Sequence, residues 1–201
     1  NGERCTAGSP ILVERSIYDE FCSRYAERAK NIAVGDPHDP KTEVGALVHP
    51  EHYAKVMSYV EIGKTEGRLL AGGSRPEGLD EGNYVSPTVF ADVDNQMTVA
   101  REEIFGPVLS IIPFDTEEEA VEIANDTDYG LTNYVQTADG ARRNRLARQL
   151  RAGMIEMNGE ARGAGAAFGG VKASGRAREG GVMGLEEFMD SKSISGWSLK
   201  D

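Results

Sequence analysis

Short apolar runs alternate with longer helix-periodic segments along most of this chain, and that alternation restricts the fold more than any other feature. ILVE at 11–14 precedes a segment in which Ile17, Phe21, Tyr25 and Ala29 recur at helical spacing, with Ser16 followed by Asp19 and Glu20 as a capped start. After the loop GDPHDPKTEVG, with its two Pro and two Gly, a second amphipathic helix is expected from about Glu51, burying Tyr53, Val56, Met57 and Val60. RLLAGG, YVSPTVF and PVLSIIPF read as strands; Thr116 and Glu119 form a capping box for a helix to about Asn125. Then come strand NYVQT, an Arg-rich helix to about Ala152, strand MIEMN, a Gly-rich loop, a short helix near Leu185–Met189 and a final strand SISGW. Strands separated by helices in this order predict an α/β fold, a parallel sheet covered by helices on both faces. No repeat or low-complexity linker divides the chain, so residues 1–190 are expected to form one domain, with 191–201 as a terminal strand and tail.

Charge narrows the partners. Thirty-three acidic against 22 basic side chains give a net charge of −11, unsuited to a phosphate backbone, whose affinity comes from Lys and Arg displacing counterions. No nucleic-acid partner is expected; Arg142, Arg143, Arg145, Arg148 and Arg151 read as the solvated face of a helix. No apolar run approaches the roughly 18 residues of a membrane helix, so no membrane partner is expected either. Two cysteines, Cys5 and Cys22, are too few for a disulfide framework and suggest a reducing, cytoplasmic setting. Cys22 sits beside Phe21 and reads as a packed hydrophobe. His49 and His52, in HPEH, lack a third ligand nearby and read as exposed histidines at a helix start marked by Pro50, not as a metal pair.

Three stretches offer chemistry. Cys5, in NGERCTAGSP, lies in a loop rich in small and polar residues that can bring amides and charge to sulfur, the condition for a reactive thiolate; an inert loop thiol is the alternative. In REEIFGPV, Glu103 and Phe105 stand at i and i+2, on one side of an extended segment, where a carboxylate accepts from ribose hydroxyls and a ring flanks a heterocycle. A polar loop anchored by Phe105 is the alternative reading of the same residues. FGGVKASG, at 168–175, has glycine pairs that permit close backbone approach but lacks the strand-GxGxxG-helix order of a dinucleotide fingerprint.

In this order and at these separations, the motifs resemble the catalytic half of the aldehyde dehydrogenase superfamily. NGERCTAGS is similar to its nucleophile motif, GDPHDPKTEVGALV to the loop after its first helix and EEIFGPV to its nicotinamide-side motif. NDTDYGLTNYVQT resembles the strand-helix signature before its last crossover, and FGGVKASGRAREGG the loop that closes its substrate channel. The resemblance implies a fold of that type and oxidation of a small-molecule aldehyde to a carboxylic acid with NAD or NADP. Cys5 would be the nucleophile, passing through a thiohemiacetal and a thioester, with its own backbone amide contributing to the oxyanion hole. Glu103 would hold the nicotinamide ribose, Phe105 would pack near the nicotinamide ring, Glu179 would relay protons and Phe168 would line the substrate tunnel.

Departures are informative. Ala167 stands where the family usually has Pro, and Arg176-Ala177 replaces a more usual residue-Gly pair, so the loop backbone is expected to differ locally. GEARGAGAA, at 159–167, is small and polar where relatives carry aromatic residues, which suggests a wide tunnel mouth where Glu160 or Arg162 meets a polar substrate. Arg162 could pair bidentately with the carboxylate of a semialdehyde acid, or be a surface loop residue. The resemblance also places a nucleotide-binding domain, a base glutamate and an oxyanion asparagine upstream, so the chain alone is expected to be inactive. SISGW resembles the family's oligomerisation strand, implying a homodimer or homotetramer of the intact enzyme. Two other readings stand beside this one: a non-catalytic structural or oligomerisation module, and an enzyme that passes the acyl group to coenzyme A.

Overall fold

The computed structural model describes residues 1–198. Its contacts group into two compact units, Asn1–Thr127 and a second beginning at Asp128.

The first unit is built on a four-stranded sheet of order β1-β4-β3-β2, comprising β1 (Ile11–Glu14), β2 (Arg68–Ala71), β3 (Thr88–Ala91) and β4 (Val108–Phe114). β1 and β3 both pair parallel to β4, and only β2 runs antiparallel, against β3. The chain is α/β with a mostly parallel sheet, as the alternation of elements predicts. All four residues of β3 are buried because both faces are covered. α2 (Pro50–Glu66) sets Val56 and Val60 against Phe90, Val108 and Ile112 on one face. On the other, α1 (Tyr18–Lys30) sets Tyr18, Cys22 and Ala29 against Val89, Ala91 and Ile111. Gly63 lets α2 approach this closely, since a Cβ there would lie 2.4 Å from the Phe90 ring.

The two polar side chains buried in this sheet are satisfied. Ser110 Oγ donates to the Val99 carbonyl at 2.9 Å, and Thr88 Oγ1 donates to Ser86 O and accepts from Gly73 N. α3 (Thr98–Arg101) begins on Glu66, whose carboxylate accepts from the Thr98 and Val99 amides. α4 (Glu117–Asn125) begins at the expected cap, Thr116 Oγ1 accepting from Glu119 N at 3.1 Å.

Two local expectations fail in α1. Ser16 does not cap it: Ser16 lies in a 3-10 turn, Arg15–Ile17, and its hydroxyl donates to Glu14. That turn rotates the helix, so the buried positions are Tyr18, Cys22, Ala26 and Ala29; Phe21 and Tyr25 stack on each other at the margin and Ile17 is 54% exposed. Cys22 is buried as expected, and burial pushes its thiol pKa up.

The second unit is a βαβ crossover. β5 (Thr132–Val135) and β6 (Met154–Met157) pair parallel, joined by α5 (Gly140–Gln149), whose N-cap Asp139 accepts from the Ala141 and Arg142 amides. α5 has no buried residue, so its arginines form a solvated face as expected. α6 (Gly181–Glu186) begins four residues before the expected start at Leu185. Within the described residues SISGW belongs to neither sheet. Its pairing with another chain remains a proposal, and the tail at 199–201 lies outside the described residues.

Candidate active site

Cys5 is exposed and occupies the first central position of a turn closed by Ala7 N donating to Arg4 O at 2.8 Å. Among the described residues the Cys5 N–H meets no acceptor, so thiol and amide are presented from one residue. The loop before it is fixed by side chains. Asn1 accepts from Gly45 N at 3.1 Å and donates to Ala46 O at 2.9 Å, and Glu3 accepts from Val48 N at 3.0 Å. Gly2, at φ +72°, rests against the Gly106 carbonyl, which would lie 2.2 Å from a Cβ. The Cys5 loop therefore packs directly on the EIFGPV turn, about 100 residues along the chain.

That turn is not the extended segment used to place Glu103 and Phe105 on one side. Phe105 has φ +60° and residues 103–107 lie outside any strand, so the i, i+2 geometry is corrected. Glu103 is exposed, with its carbonyl accepting from Lys55 Nζ at 3.0 Å; Phe105 is half-buried. Its neighbour Glu102 accepts from the Tyr59 hydroxyl at 2.6 Å. The exposed Glu103 carboxylate is an acceptor of the kind a ribose diol needs, and the half-buried Phe105 ring is a surface of the kind a flat heterocycle needs, so these residue types fit a nicotinamide nucleotide.

His52 was expected to be an exposed helix-start residue, and the structure corrects this. His49 does cap α2, accepting from Glu51 N, with Pro50 as first residue. His52, in the first turn, is only 17% exposed at its side chain; its Nε2 donates to Phe105 O at 2.7 Å and lies 3.7 Å from Glu3 Oε1. Neither the His52 nor the Glu3 contact was legible in the sequence, because the partners lie about fifty positions away and no local motif marks them. No cluster of three metal-binding side chains occurs among the described residues.

The second unit gathers three more predicted residues. Phe168 and Glu179 face each other in an antiparallel bridge, exchanging N–H···O bonds of 2.7 and 2.8 Å. Arg162 lays its guanidinium over the Phe168 ring, 5.1 Å from the centroid, and donates to Met154 Sδ. Glu160 is exposed at the turn after β6, its amide donating to Met157 O, and no side-chain contact joins it to that group among the described residues. The glycine loop is held by Arg178, a residue the motif reading passed over, through bonds to the Gly170, Arg176 and Ala177 carbonyls. Gly153 is needed because a Cβ there would lie 1.9 Å from Gly169 O.

The chain is similar to known proteins over nearly its whole length. A sequence model of the aldehyde dehydrogenase family matches residues 1–194. The 5-carboxymethyl-2-hydroxymuconate semialdehyde dehydrogenase of Escherichia coli is 52% identical over 188 residues, covering 90% of this chain and 40% of the relative. A crystal structure of an aldehyde dehydrogenase from Bartonella henselae superposes with a TM-score of 0.94 at 48% identity, over 98% of this chain and 42% of that one. A Mycobacterium tuberculosis aldehyde dehydrogenase complexed with NAD+ gives 0.92 at 44% identity, again over 98% and 42%. The chain thus spans about two-fifths of the length of these relatives, and it belongs to the aldehyde dehydrogenase family.

Proposed function

We propose that this chain carries the nucleophile and the nicotinamide side of an NAD(P)-dependent aldehyde dehydrogenase. The observation that carries the reading is the exposed Cys5, whose N–H meets no acceptor among the described residues, on a loop packed against Gly106 of the turn that holds Glu103 and Phe105. The Cys5 thiolate attacks the aldehyde carbon, and the carbonyl π pair moves onto oxygen, where the Cys5 amide is a fitting donor. Glu103 would hold an oxidised nicotinamide cofactor at its ribose and Phe105 would flank its ring; when bound, that cofactor would supply the hydride acceptor. Loss of hydride from the thiohemiacetal carbon leaves a thioester on Cys5; water adds to it, the thiolate departs, and a carboxylic acid is released. An upstream base glutamate would take the proton from that water, and Glu179 is assigned the onward relay of that proton.

A semialdehyde acid is the proposed substrate class. The E. coli relative is named for a semialdehyde, and Arg162, stacked on Phe168 with one nitrogen on Met154 Sδ and the residue exposed, offers its remaining guanidinium donors to a carboxylate. Phe168 lines the tunnel and Glu160 meets polar groups at its mouth. Val182, Leu185, Phe188 and Trp197 are each at least 67% exposed, which supports packing of the C-terminal segment on a second copy. The test uses the full-length enzyme containing this chain. Wild type should reduce the cofactor with an aldehyde and Cys5→Ala should not; turnover by Cys5→Ala at the wild-type rate overturns the reading.

A further inference from the structure

Two features of the first unit have no part in the chemistry above: the half-buried His52 and the Glu3 it faces. Both side chains are inside, at 17% and 16% exposure, and each serves two segments. The single Nε2 hydrogen of His52 is directed to Phe105 O at 2.7 Å with Glu3 Oε1 3.7 Å away, while the imidazole stands edge-on to the Phe105 ring at 6.3 Å. Glu3 Oε1 also takes the Val48 amide, and Glu3 Oε2 takes Asn1 Nδ2 at 3.0 Å. The His52 bond falls on the carbonyl of a non-glycine residue held at φ +60°, a conformation that persists only where its surroundings impose it. Two residues beyond Glu3 is Cys5. Between the Cys5 loop and the Phe105 turn, His52 therefore stands hydrogen-bonded to Phe105 O and in close polar contact, without a hydrogen bond, with Glu3 Oε1, alongside the backbone contact of Gly2 on Gly106.

We propose that Glu3 and His52 are positioning residues that clasp the Phe105 turn to the Cys5 loop, setting how far the nucleophile stands from the nicotinamide. This rests on the roles proposed for Cys5 and Phe105. Without the His52 bond, Phe105 loses its reason to stay left-handed, and the turn relaxes away from Gly2. Cofactor binding should weaken because its ring contact moves, while aldehyde binding, served by other residues, should not.

The experiment takes the full-length enzyme with His52→Ala, His52→Gln and Glu3→Ala. In His52→Ala the KM for oxidised nicotinamide cofactor should rise about tenfold, equivalent to about 1.4 kcal/mol, with the aldehyde KM unchanged. His52→Gln, whose amide N–H reaches the same carbonyl, should recover most of that loss. Hydrogen exchange of the cofactor-free proteins gives a second readout. His52→Ala and Glu3→Ala should each accelerate exchange in both 1–7 and 104–108, with β3 and β4 protected as in wild type. Acceleration confined to the mutated segment, an unchanged cofactor KM in His52→Ala, or equal losses in Ala and Gln variants overturns the clasp. If Cys5→Ala is inactive while the clasp tests fail, only the clasp falls; if Cys5→Ala turns over normally, the functional reading falls and the exchange experiment still decides the clasp.

Discussion

Gly106 joins the turn to the core, and substituting it measures how firmly the site is seated. A Cβ at Gly106 would lie 2.7 Å from Val56 Cγ2 and 3.0 Å from Cγ1, and Val56 is fully buried in α2, so neither partner can step aside. Overpacking of this kind costs about 1–3 kcal/mol, taken as about 2. Val56→Ala alone removes the two methyls, about 0.8 kcal/mol each in transfer, and the cavity brings the loss to about 2–3 kcal/mol. Independent effects would sum to about 4–5 kcal/mol in the double variant. In the structure, however, the methyls removed are the ones the new Cβ strikes. The double variant should therefore lose only about 2 kcal/mol, a coupling of about 2–3 kcal/mol. Urea unfolding of the four proteins followed by far-UV circular dichroism gives the cycle, provided the m-value stays constant. Additive losses would show that Gly106 and Val56 do not meet as described.

In the second unit, Gly153→Ala should destabilise by at least about 2 kcal/mol, because its Cβ meets backbone, whereas Gly163→Ala, with open space around it, should stay within about 0.5 kcal/mol in the same urea assay. Asp92 hydrogen-bonds to Arg68 at 2.6 Å and to the Tyr18 hydroxyl at 3.1 Å, and the Arg68 bond holds its carboxyl below the usual carboxylate range. A depressed pKa contributes stability above the unfolded value, near 4, that is lost as pH falls through the folded value. Asp92→Asn should thus be less stable than wild type from pH 5 to 8, with the gap closing below pH 4; a gap independent of pH would refute this. Arg162→Ala should raise the KM of the full-length enzyme about tenfold or more for an anionic semialdehyde and much less for a neutral aldehyde of equal length, and equal effects would remove Arg162 from the substrate site.

The sequence and the structure agree most where a physical signal is local. The β-prone segment YVSPTVF, the Thr116–Glu119 cap and the Val56–Val60 stripe are written within a few residues, and β3, the cap and the buried stripe are found there. α1 misled because Ile17, Phe21 and Tyr25 keep perfect helical spacing while a 3-10 turn ahead of the helix rotates a neighbouring stripe inward. The pairing of Cys5 with the Phe105 turn came from the order of motifs, not from any residue in them. Periodicity cannot show that Gly2 touches Gly106, or that His52 spans Glu3 and Phe105 O. The left-handed Phe105 was equally hidden, since nothing in IFGP requires it of the aromatic residue and not of the glycine that follows.

The role of Cys5 is tested most directly by trapping the intermediate. Full-length enzyme is mixed with a semialdehyde and oxidised cofactor, quenched in acid within one turnover, digested and weighed by mass spectrometry. The expected result is the acyl mass on the peptide containing Cys5 and none on the peptide containing the buried Cys22. Acylation absent from Cys5 while cofactor is reduced in the same mixture would contradict it.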